Sequence, residues 1–430
     1  MTVIAFVIGV VLLVVGLAVS IALHEIGHLV PAKKFGVRVG QYMIGFGPTL
    51  WSRRIGETEY GVKALPLGGY ISMAGMYPPS RADGRAAGGF FATMVQDARA
   101  ANDETIVADD EGRAFYQLSV WRRIVVMLGG PFMNLVLAIV LLTIVMSGIG
   151  LQTATTTVAA VSECVLPAGT TQTECTDSDP ASPAADAGVR PGDVILSVAG
   201  TPVSTFAEAS TIIQAAPNEQ LPLVVERNGQ TLTLDVTPML AEREVLDPDG
   251  EVIVAEVGFV GMTAAVDYVR QPIWDGAQAT FDRTGQIAGI TWQLPARVYQ
   301  TAVDMFTGAE RDPNGPLSVV GAGRLAGEVA AIDAPILNRA AAILELLAGL
   351  NLALFVFNLI PLLPLDGGHV VVALWDGLKR TWAKIFRRPP PKPVDATKLV
   401  PVTFVVVIGL IVMGGILILA DIVNPVQLFG

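Results

Sequence analysis

Long apolar stretches that alternate with polar ones dominate the pattern of this chain. A helix needs roughly 20 mainly apolar residues to cross the hydrocarbon core of a membrane. Residues 3–30, 124–149, 343–365 and 403–422 meet that length, so the pattern predicts four transmembrane helices. The first segment has no Lys or Arg before Lys33 and no clear small-residue cleavage site. We therefore expect it to remain in the mature protein rather than to be a signal peptide.

Two connections between these segments have unusual patterns. Residues 41–76 are too apolar for a solvated loop and too often interrupted by Gly and Pro for a helix. This favours a membrane-associated β-hairpin or loop that is shielded by protein. Residues 78–112 are polar and rich in Ala, Gly and Asp, which is typical of a flexible connection.

Residues 155–262 have the short alternating pattern of a small α+β domain. The pattern predicts one helix over residues 206–216 and three strands, over 194–198, 221–226 and 230–236. Asn228-Gly229 between the last two strands is a strong hairpin signal. The order resembles a PDZ domain of the bacterial protease type, most closely over 184–200, and such a domain can bind an extended peptide at a sheet edge. A β-domain that only caps the membrane part is the alternative.

These patterns predict an α-helical polytopic membrane protein with an inserted extracytoplasmic PDZ-like domain. The predicted parts are the first half of the membrane core, the PDZ-like domain, a linker and the second half of the core, at 1–150, 155–262, 263–340 and 341–430. The linker carries aromatic residues at intervals, which fits an amphipathic segment along the outer membrane surface and equally a packed helical connection.

Composition and charge add an orientation. The chain of 430 residues is 52% hydrophobic and only 16% charged, whereas soluble proteins carry about a quarter charged residues. Residues 151–339 hold 24 acidic and 9 basic side chains, while 31–123 hold 12 basic ones and 371–398 hold 7 basic against 2 acidic. Cytoplasmic loops are enriched in Lys and Arg. The N-terminus and 151–340 are therefore predicted to lie outside, and the loops 31–123 and 366–398 inside. No nucleic-acid partner is expected.

Two cysteines are present, and both fall in the segment that is predicted to lie outside. An oxidising compartment makes Cys164 and Cys175 possible disulfide partners. Two unrelated free thiols are the alternative.

The three histidines indicate a metal site. His24 and His28 stand four residues apart in His-Glu-Ile-Gly-His, so both imidazoles lie on one helix face and can bind one ion. Glu25 lies beside that face, where it can take a proton from water that the ion has activated. A polar helix end that reaches the interface is the alternative, but ionisable residues are costly inside an apolar segment.

Catalytic zinc usually has three protein ligands and one open position. Asp366 is the predicted third ligand, because it follows the third apolar segment at the end that charge places on the same side as His28. Pro361 and Pro364 prevent a regular helix just before it. An ordinary surface Asp at a helix end is the alternative. No role is predicted for His369.

The sequence resembles the site-2 proteases, intramembrane zinc metalloproteases that cut transmembrane helices. The resemblance covers most of the chain and is closest to the bacterial branch that processes anti-sigma factors. Its motifs are His24–His28, the loop 66–75, Gly130-Pro131 with Asn134, Gly315-Pro316, and residues 358–368. The single PDZ-like domain and the acidic insert 163–179 depart from the tandem-domain members of the family.

The resemblance implies a function and several roles. His24, His28 and Asp366 would bind zinc, Glu25 would be the general base and acid, and Asn358 would help to position the substrate backbone. Gly68, Gly69 and Tyr70 lie in the loop that could offer the unwound substrate a strand edge, a role that rests on physical argument. Expected partners are single-pass anti-sigma-type membrane proteins and the lipid bilayer of a bacterial plasma membrane, with the active site near its cytoplasmic side. A zinc transporter and a PDZ-bearing scaffold with a structural metal are the alternatives.

Overall fold

The computed structural model describes residues 2–79, 89–106, 112–166, 175–176, 179–246, 252–309, 311–313 and 315–426. The chain divides into two compact units. One combines Met1–Ile149 with Pro272–Gly430, and the other is Gly150–Gln271. The second unit is therefore inserted between the two halves of the first.

The described residues form the following helices and strands. In chain order the helices are α1 (Thr2–Lys34), α2 (Phe90–Glu104), α3 (Val120–Thr143), α4 (Pro183–Asp186), α5 (Phe206–Gln214), α6 (Asp275–Thr307), α7 (Val319–Ala331), α8 (Ile336–Asn358), α9 (Asp366–Ile385) and α10 (Val400–Val423). The strands are β1 (Val39–Ile55), β2 (Thr58–Met73), β3 (Leu151–Val161), β4 (Val194–Val198), β5 (Thr201–Pro202), β6 (Leu221–Arg227), β7 (Gln230–Val236), β8 (Met239–Leu246), β9 (Val252–Phe259) and β10 (Met262–Val269).

The prediction of four membrane helices is confirmed. Among the described residues, four helical segments are long and apolar enough to cross a membrane: Val3–Lys34, Val120–Ile149, Ile336–Asn358 and Ala396–Val423. The second continues from α3 through a π-helical turn at Ile144–Ile149. The last begins with a 3₁₀ turn before α10.

The predicted bounds of the third helix were wrong at both ends. The helix was predicted over 343–365, but α8 starts at Ile336 and stops at Asn358. Residues 359–365 form turns instead, because Pro361 and Pro364 cannot donate the hydrogen bonds that would continue the helix. Asp366 consequently begins a new helix, α9, and does not lie at the end of α8.

Two helices lie where the sequence pattern indicated loops. The connection predicted to be flexible over 78–112 contains α2, although residues 80–88 and 107–111 of that prediction lie outside the described residues. The connection after Asp366 contains the 20-residue α9. Arg99 of α2 donates to Asp395 at 2.6 Å and to Thr397 at 3.0 Å, so α2 is fixed next to the start of the last span.

The segment predicted as a linker over 263–340 is divided between the two units: β10 takes its first residues into the inserted unit, and from Pro272 onwards it is largely helical and belongs to the first unit. α6 contacts α3, α8 and α10, while α7 packs on α1 and α8. A β-carbon on Gly9 of α1 would lie 2.2 Å from the carbonyl oxygen of Ala326 in α7, so the two backbones touch. The aromatic residues that the sequence spaces along this segment are all exposed, namely Trp274, Phe281, Trp292, Tyr299 and Phe306.

The hairpin predicted within 41–76 is present and bends into four paired segments. Residues 39–44 of β1 pair on one side with 58–62 of β2 and on the other with 69–73, while 51–55 pairs with the far side of 58–62. Shared apolar contacts fix the hairpin to α1 and α3, with Tyr42 and Met73 packed in one cluster with Leu29 and Val126. Among the described residues, no other strand pairs with the outer edge of 69–73.

The inserted unit is a twisted antiparallel sheet with two short helices. Its strand order is β10-β3-β4-β6-β7, with β5 added to β4, and β8 and β9 form a separate ribbon. The predicted hairpin is confirmed: Asn228 and Gly229 both have positive φ, as the tight turn between β6 and β7 requires. Helix α5 begins with a capping box between Thr205 and Glu208.

The inserted unit extends beyond the predicted 155–262. β3 begins at Leu151 and β10 ends at Val269, and these two strands pair along their whole length, so both belong to the sheet. Cys164 and Cys175 form a disulfide within this unit.

Candidate metal centre

Three metal-binding side chains meet where α1 and α9 approach each other. The Nε2 atoms of His24 and His28 lie 3.2 Å apart, because one helical turn separates them. Oδ2 of Asp366 lies 3.4 Å from each of these nitrogens. The two elements that the sequence separates by more than 300 residues therefore place three ligand atoms around one point.

The local sequence explains how Asp366 reaches this point. Asp366 is the first residue of α9 and follows the turns of 359–365. The next two residues allow the new helix to pack directly on these turns. A β-carbon on Gly367 would lie 2.4 Å from the Ile360 carbonyl oxygen, and one on Gly368 would lie 2.5 Å from the Leu363 nitrogen. Only glycine fits at both positions.

Helix α3 supplies the polar partners that orient both imidazoles. Nδ1 of His28 lies 2.8 Å from the carbonyl oxygen of Val126, and a carbonyl only accepts, so Nδ1 carries the proton and Nε2 keeps its lone pair. The side-chain nitrogen of Asn134, Nδ2, lies 3.1 Å from Nδ1 of His24. The side-chain oxygen of the same amide, Oδ1, is buried without a partner. Turning this amide by 180° lets Oδ1 accept from Nδ1–H, which orients His24 in the same way as His28.

Helix α3 also forms the wall of the site through its glycines. A β-carbon on Gly130 would lie 2.2 Å from Nε2 of His28 and 2.7 Å from Nε2 of His24. One residue earlier on each helix, a β-carbon on Gly27 of α1 would lie 2.1 Å from the Gly129 carbonyl oxygen. The two helices therefore cross with their backbones in contact, as small residues allow in membrane proteins.

The donor set fits zinc. Oδ2 of Asp366 is buried without a hydrogen-bond donor, which is costly for a carboxylate unless a cation or a proton lies beside it. Two imidazole nitrogens and one carboxylate oxygen form a common zinc set that leaves a fourth position open. Within the described part of the chain, this is the one group of three or more His, Cys, Asp or Glu side chains close enough to hold a metal ion.

Glu25 lies between the metal ligands and the hairpin. Its side chain is buried, with 7% of the residue exposed. A β-carbon on Gly69 would lie 2.9 Å from Cγ of Glu25 and 3.0 Å from the Met43 carbonyl oxygen. Tyr42 donates a hydrogen bond of 2.8 Å to the carbonyl oxygen of Ala22, one turn before Glu25. The edge segment 69–73 therefore starts against the Glu25 side chain.

Gly68 and Tyr70 lie beside Gly69 on the hairpin. Gly68 has a φ of 129°, a conformation that side chains other than glycine's rarely adopt. Tyr70 donates to Gln41 at 3.3 Å, and its ring stacks on that of Phe46 with centroids 6.3 Å apart. These contacts hold the beginning of the edge segment in place.

The structure records different surroundings for Asn358 and His369. Asn358 is the last residue of α8, and its amide donates to the Leu354 carbonyl at 3.0 Å. Within the described part of the chain, Asn358 makes no hydrogen bond to His24, His28 or Asp366. The His369 ring lies one turn into α9 and stacks on Tyr77, with centroids 6.3 Å apart.

Sequence reasoning missed two buried ion pairs of the membrane unit. Arg123 of α3 donates to Asp376 of α9 at 3.0 Å, with both side chains almost fully buried. Arg311 pairs with Asp421 of α10, which also accepts from the backbone nitrogens of Ser318 at 2.7 Å and Gly321 at 3.1 Å. Asp421 sits near the end of the fourth apolar segment, and its cost in an apolar helix was a signal that a partner exists.

Two histidines one helical turn apart, a neighbouring glutamate and a further carboxylate form the kind of site found in zinc metalloproteases, and here the histidines lie on a helix of membrane-spanning length. Residues 12–391 match the family model described as Peptidase family M50. The chain is 36% identical to Zinc metalloprotease Rip1 of Mycobacterium tuberculosis over 433 residues, covering 99% of each chain. It is 34% identical to Zinc metalloprotease Rip1 of Mycolicibacterium smegmatis, also over 99% of each chain, and 28% identical to Metalloprotease MmpA of Caulobacter vibrioides over 88% of each chain.

The chain therefore belongs to peptidase family M50, the site-2 protease family of intramembrane zinc metalloproteases. It is an enzyme and a multi-pass membrane protein, and its cofactor is zinc. The transporter and scaffold alternatives are set aside, because these relatives are metalloproteases over nearly their full length.

Proposed function

We propose that this protease cleaves the transmembrane segment of single-pass membrane regulators of the anti-sigma type, as the second cut of regulated intramembrane proteolysis. The observation that carries the proposal is the position of the metal centre. His24 and His28 lie near the end of a helix long and apolar enough to cross a membrane, and Asp366 joins them from the start of α9, a few residues after another such helix ends at Asn358. A strand edge that pairs with no other described strand starts against Glu25. A substrate that enters this space comes from within the bilayer.

The chain's own side chains then have the following roles. His24, His28 and Asp366 would hold zinc, which when bound supplies the Lewis acidity that activates a water molecule and the scissile carbonyl. Glu25 takes the proton from the attacking water and delivers it to the nitrogen of the leaving amine. Burial of Glu25 beside Gly69 keeps competing bulk water away from its carboxylate. Asn134 and Val126 keep the two imidazoles oriented.

A helical substrate must unwind before it can react, because its carbonyls are hydrogen-bonded along the helix. The unwound strand needs new partners inside the membrane. The edge 69–73 can provide them by β-augmentation, since its outer side pairs with no other described strand. Asn358 is proposed to help position the substrate backbone from the end of α8.

A proline in the edge tests this proposal. Tyr70→Pro is preferable to a change at Gly69, where added atoms would strike Glu25. We expect slower cleavage with unchanged zinc content, whereas Tyr70→Phe should cleave normally. Normal turnover of Tyr70→Pro would refute the role of the edge.

The orientation follows from charge. We propose that the N-terminus and the inserted unit lie outside a bacterial plasma membrane, with the metal centre near the cytoplasmic side. The excess of basic residues in 31–123 and 371–398 supports this orientation, as does the Cys164–Cys175 disulfide in the inserted unit. The inserted unit would act as a PDZ-like filter that admits substrates only after their outer part has been shortened. Equal cleavage of full-length and shortened substrates by the intact enzyme would contradict the filter.

The central test uses the general base. Glu25→Gln keeps the shape of the side chain but cannot accept the proton, so we expect cleavage of a membrane-embedded substrate to disappear while one zinc per chain is retained. Glu345→Gln on α8, where the carboxylate is partly exposed, is the matched control and should remain active. Undiminished cleavage by Glu25→Gln would overturn the mechanism.

A further inference from the structure

Helix α9 exposes one continuous apolar face. Large apolar side chains recur along it at spacings of three and four residues, which places them on one side of the helix. Each leaves between 45% and 68% of its surface exposed: Val371, Leu374, Trp375, Leu378, Trp382 and Ile385. An apolar face of this size in water would be unfavourable, so it needs a partner.

The opposite face of α9 packs against the rest of the protein, so the apolar face must point away from it. Asp376 is buried and pairs with Arg123 of α3 at 3.0 Å. Ala373 and Ala383 are buried on the same side. A β-carbon on Gly377 would lie 3.2 Å from a methyl group of Val120. The helix is therefore bound to the protein along one side, and the apolar face points away from it.

The surroundings of α9 are strongly basic. Residues 371–398 contain 7 basic and 2 acidic side chains. Both acidic ones are paired within the protein, Asp376 with Arg123 and Asp395 with Arg99. Arg380, Lys384, Arg387 and Arg388 are exposed. The segment thus offers uncompensated positive charge next to an apolar face, which is complementary to an anionic lipid surface.

The positions of the neighbouring spans place α9 at the membrane surface. One span ends at Asn358 and the next begins at Ala396, so the connection between them starts and finishes on one side of the membrane. α9 itself is not among the spans found in the described residues. Two of its exposed side chains are Trp375 and Trp382, and tryptophan is enriched at the boundary between lipid and water.

We propose that α9 lies in the plane of the membrane–water interface and binds anionic phospholipids. Its apolar face is inserted among the upper acyl chains, and its basic side chains contact the acidic headgroups. None of the side chains that form this surface belongs to the candidate metal centre, and the proposal does not depend on the identity of the substrate.

Spin labels in the full-length protein, reconstituted in bilayers of phosphatidylcholine with about one third phosphatidylglycerol, test the position. The label is attached at Leu378→Cys on the apolar face or at Lys384→Cys on the polar face. The native cysteines are joined in a disulfide and do not react with it. We expect the first label to be relaxed mainly by oxygen and the second by a water-soluble nickel complex. Two water-exposed labels, or a Leu378→Cys label shielded from both agents by a second copy or another protein, would overturn the proposal.

A titration tests the charge. The Leu378→Cys protein in neutral detergent is titrated with phosphatidylglycerol, and the mobility of the label is followed. Arg380→Gln with Lys384→Gln should move the midpoint to higher lipid concentration by about fivefold for each charge removed. Arg190→Gln with Arg270→Gln removes the same charge from the inserted unit and should leave the midpoint unchanged. Equal midpoints in both double variants, or an equal response to phosphatidylcholine, would refute anionic-lipid binding.

Discussion

The two compact units of this chain differ in how their helices and strands are held together. Where α1 crosses α3 in the membrane unit, Gly27 and Gly129 bring the two backbones into contact, and the His28 ring bonds to an α3 carbonyl. The buried Arg123–Asp376 pair joins α3 to α9. The inserted unit has a conventional core in which Ile195, Leu223 and Val225 are almost fully buried. Lipid tails are as apolar as leucine, so apolar burial drives association in water but not between membrane helices. Adding one methyl group at a glycine is therefore most harmful in the membrane unit. Removing several methyl groups from the core is most harmful in the inserted unit.

The largest effect is expected for Gly130→Ala. Its β-carbon would lie 2.2 Å from Nε2 of His28 and must displace the imidazoles. We expect zinc content and cleavage to fall on the order of 100-fold, while hydrogen exchange in β4 and β6 stays unchanged. Gly349→Ala on α8, whose β-carbon would meet open space, is the control and should retain both. Full zinc occupancy in Gly130→Ala would show that α3 does not enclose the site as described.

The next effect concerns the ion pair between α3 and α9. Asp376→Asn leaves Arg123 buried without its counter-charge, which typically costs about 3–5 kcal/mol. Because α9 begins with Asp366, we also expect faster loss of zinc to a chelator. Glu328→Gln removes one partner of the exposed Arg324 pair and should cost at most about 1 kcal/mol. Equal thermal stability of the two variants would contradict the prediction.

A third prediction concerns the inserted unit. Leu223→Ala should lower the free energy of unfolding of this unit by about 2–5 kcal/mol, since the side chain is 2% exposed. Faster hydrogen exchange in β6 and β7 would report this loss. Zinc content should not change, because the substitution lies outside the membrane unit. Loss of zinc together with faster exchange would show that the two units do not unfold independently.

The smallest effect is a pH dependence. Hydrogen bonds from Arg227 at 2.7 Å, and from the Arg190 backbone nitrogen at 2.8 Å, hold the pKa of Asp193 below its ordinary value of 3.8. A carboxyl group with a lowered pKa stabilises the fold above the ordinary value, and this contribution is lost as the pH falls towards the folded value. Exchange protection of β4 should therefore decrease below about pH 4. Asp193→Asn should remove this step, and an unchanged step would assign it to other carboxyl groups.

The features that the sequence predicted correctly depend mostly on local patterns. The four spans and the β6–β7 hairpin depend on composition and turn chemistry within a few residues, and both are confirmed. α9 escaped detection because its charged residues interrupt its apolar ones and lower the average hydropathy, although its apolar residues recur at helical spacing. The end of α8 was misplaced because apolar residues continue through Pro361 and Pro364.

Long-range contacts explain the remainder. Gly130-Pro131 was visible as a motif, but the contact between the preceding Gly129 and Gly27 joins distant parts of the sequence and follows only from the helix crossing. Arg123 and Asp376 are 253 positions apart. Asp366 was predicted as a ligand because a histidine pair demands a third donor, and the structure places it 3.4 Å from both imidazoles.

The wall that Gly130 builds also determines how a drug-like chelator could reach the metal. With the α3 backbone pressed against both imidazoles, no functional group can approach from that direction. The edge 69–73, which is proposed to bind the substrate strand, begins beside Glu25. An inhibitor for this enzyme should therefore carry its zinc-binding group at the end of an extended, peptide-like scaffold that can pair with the edge, and compact chelators should be poor ligands.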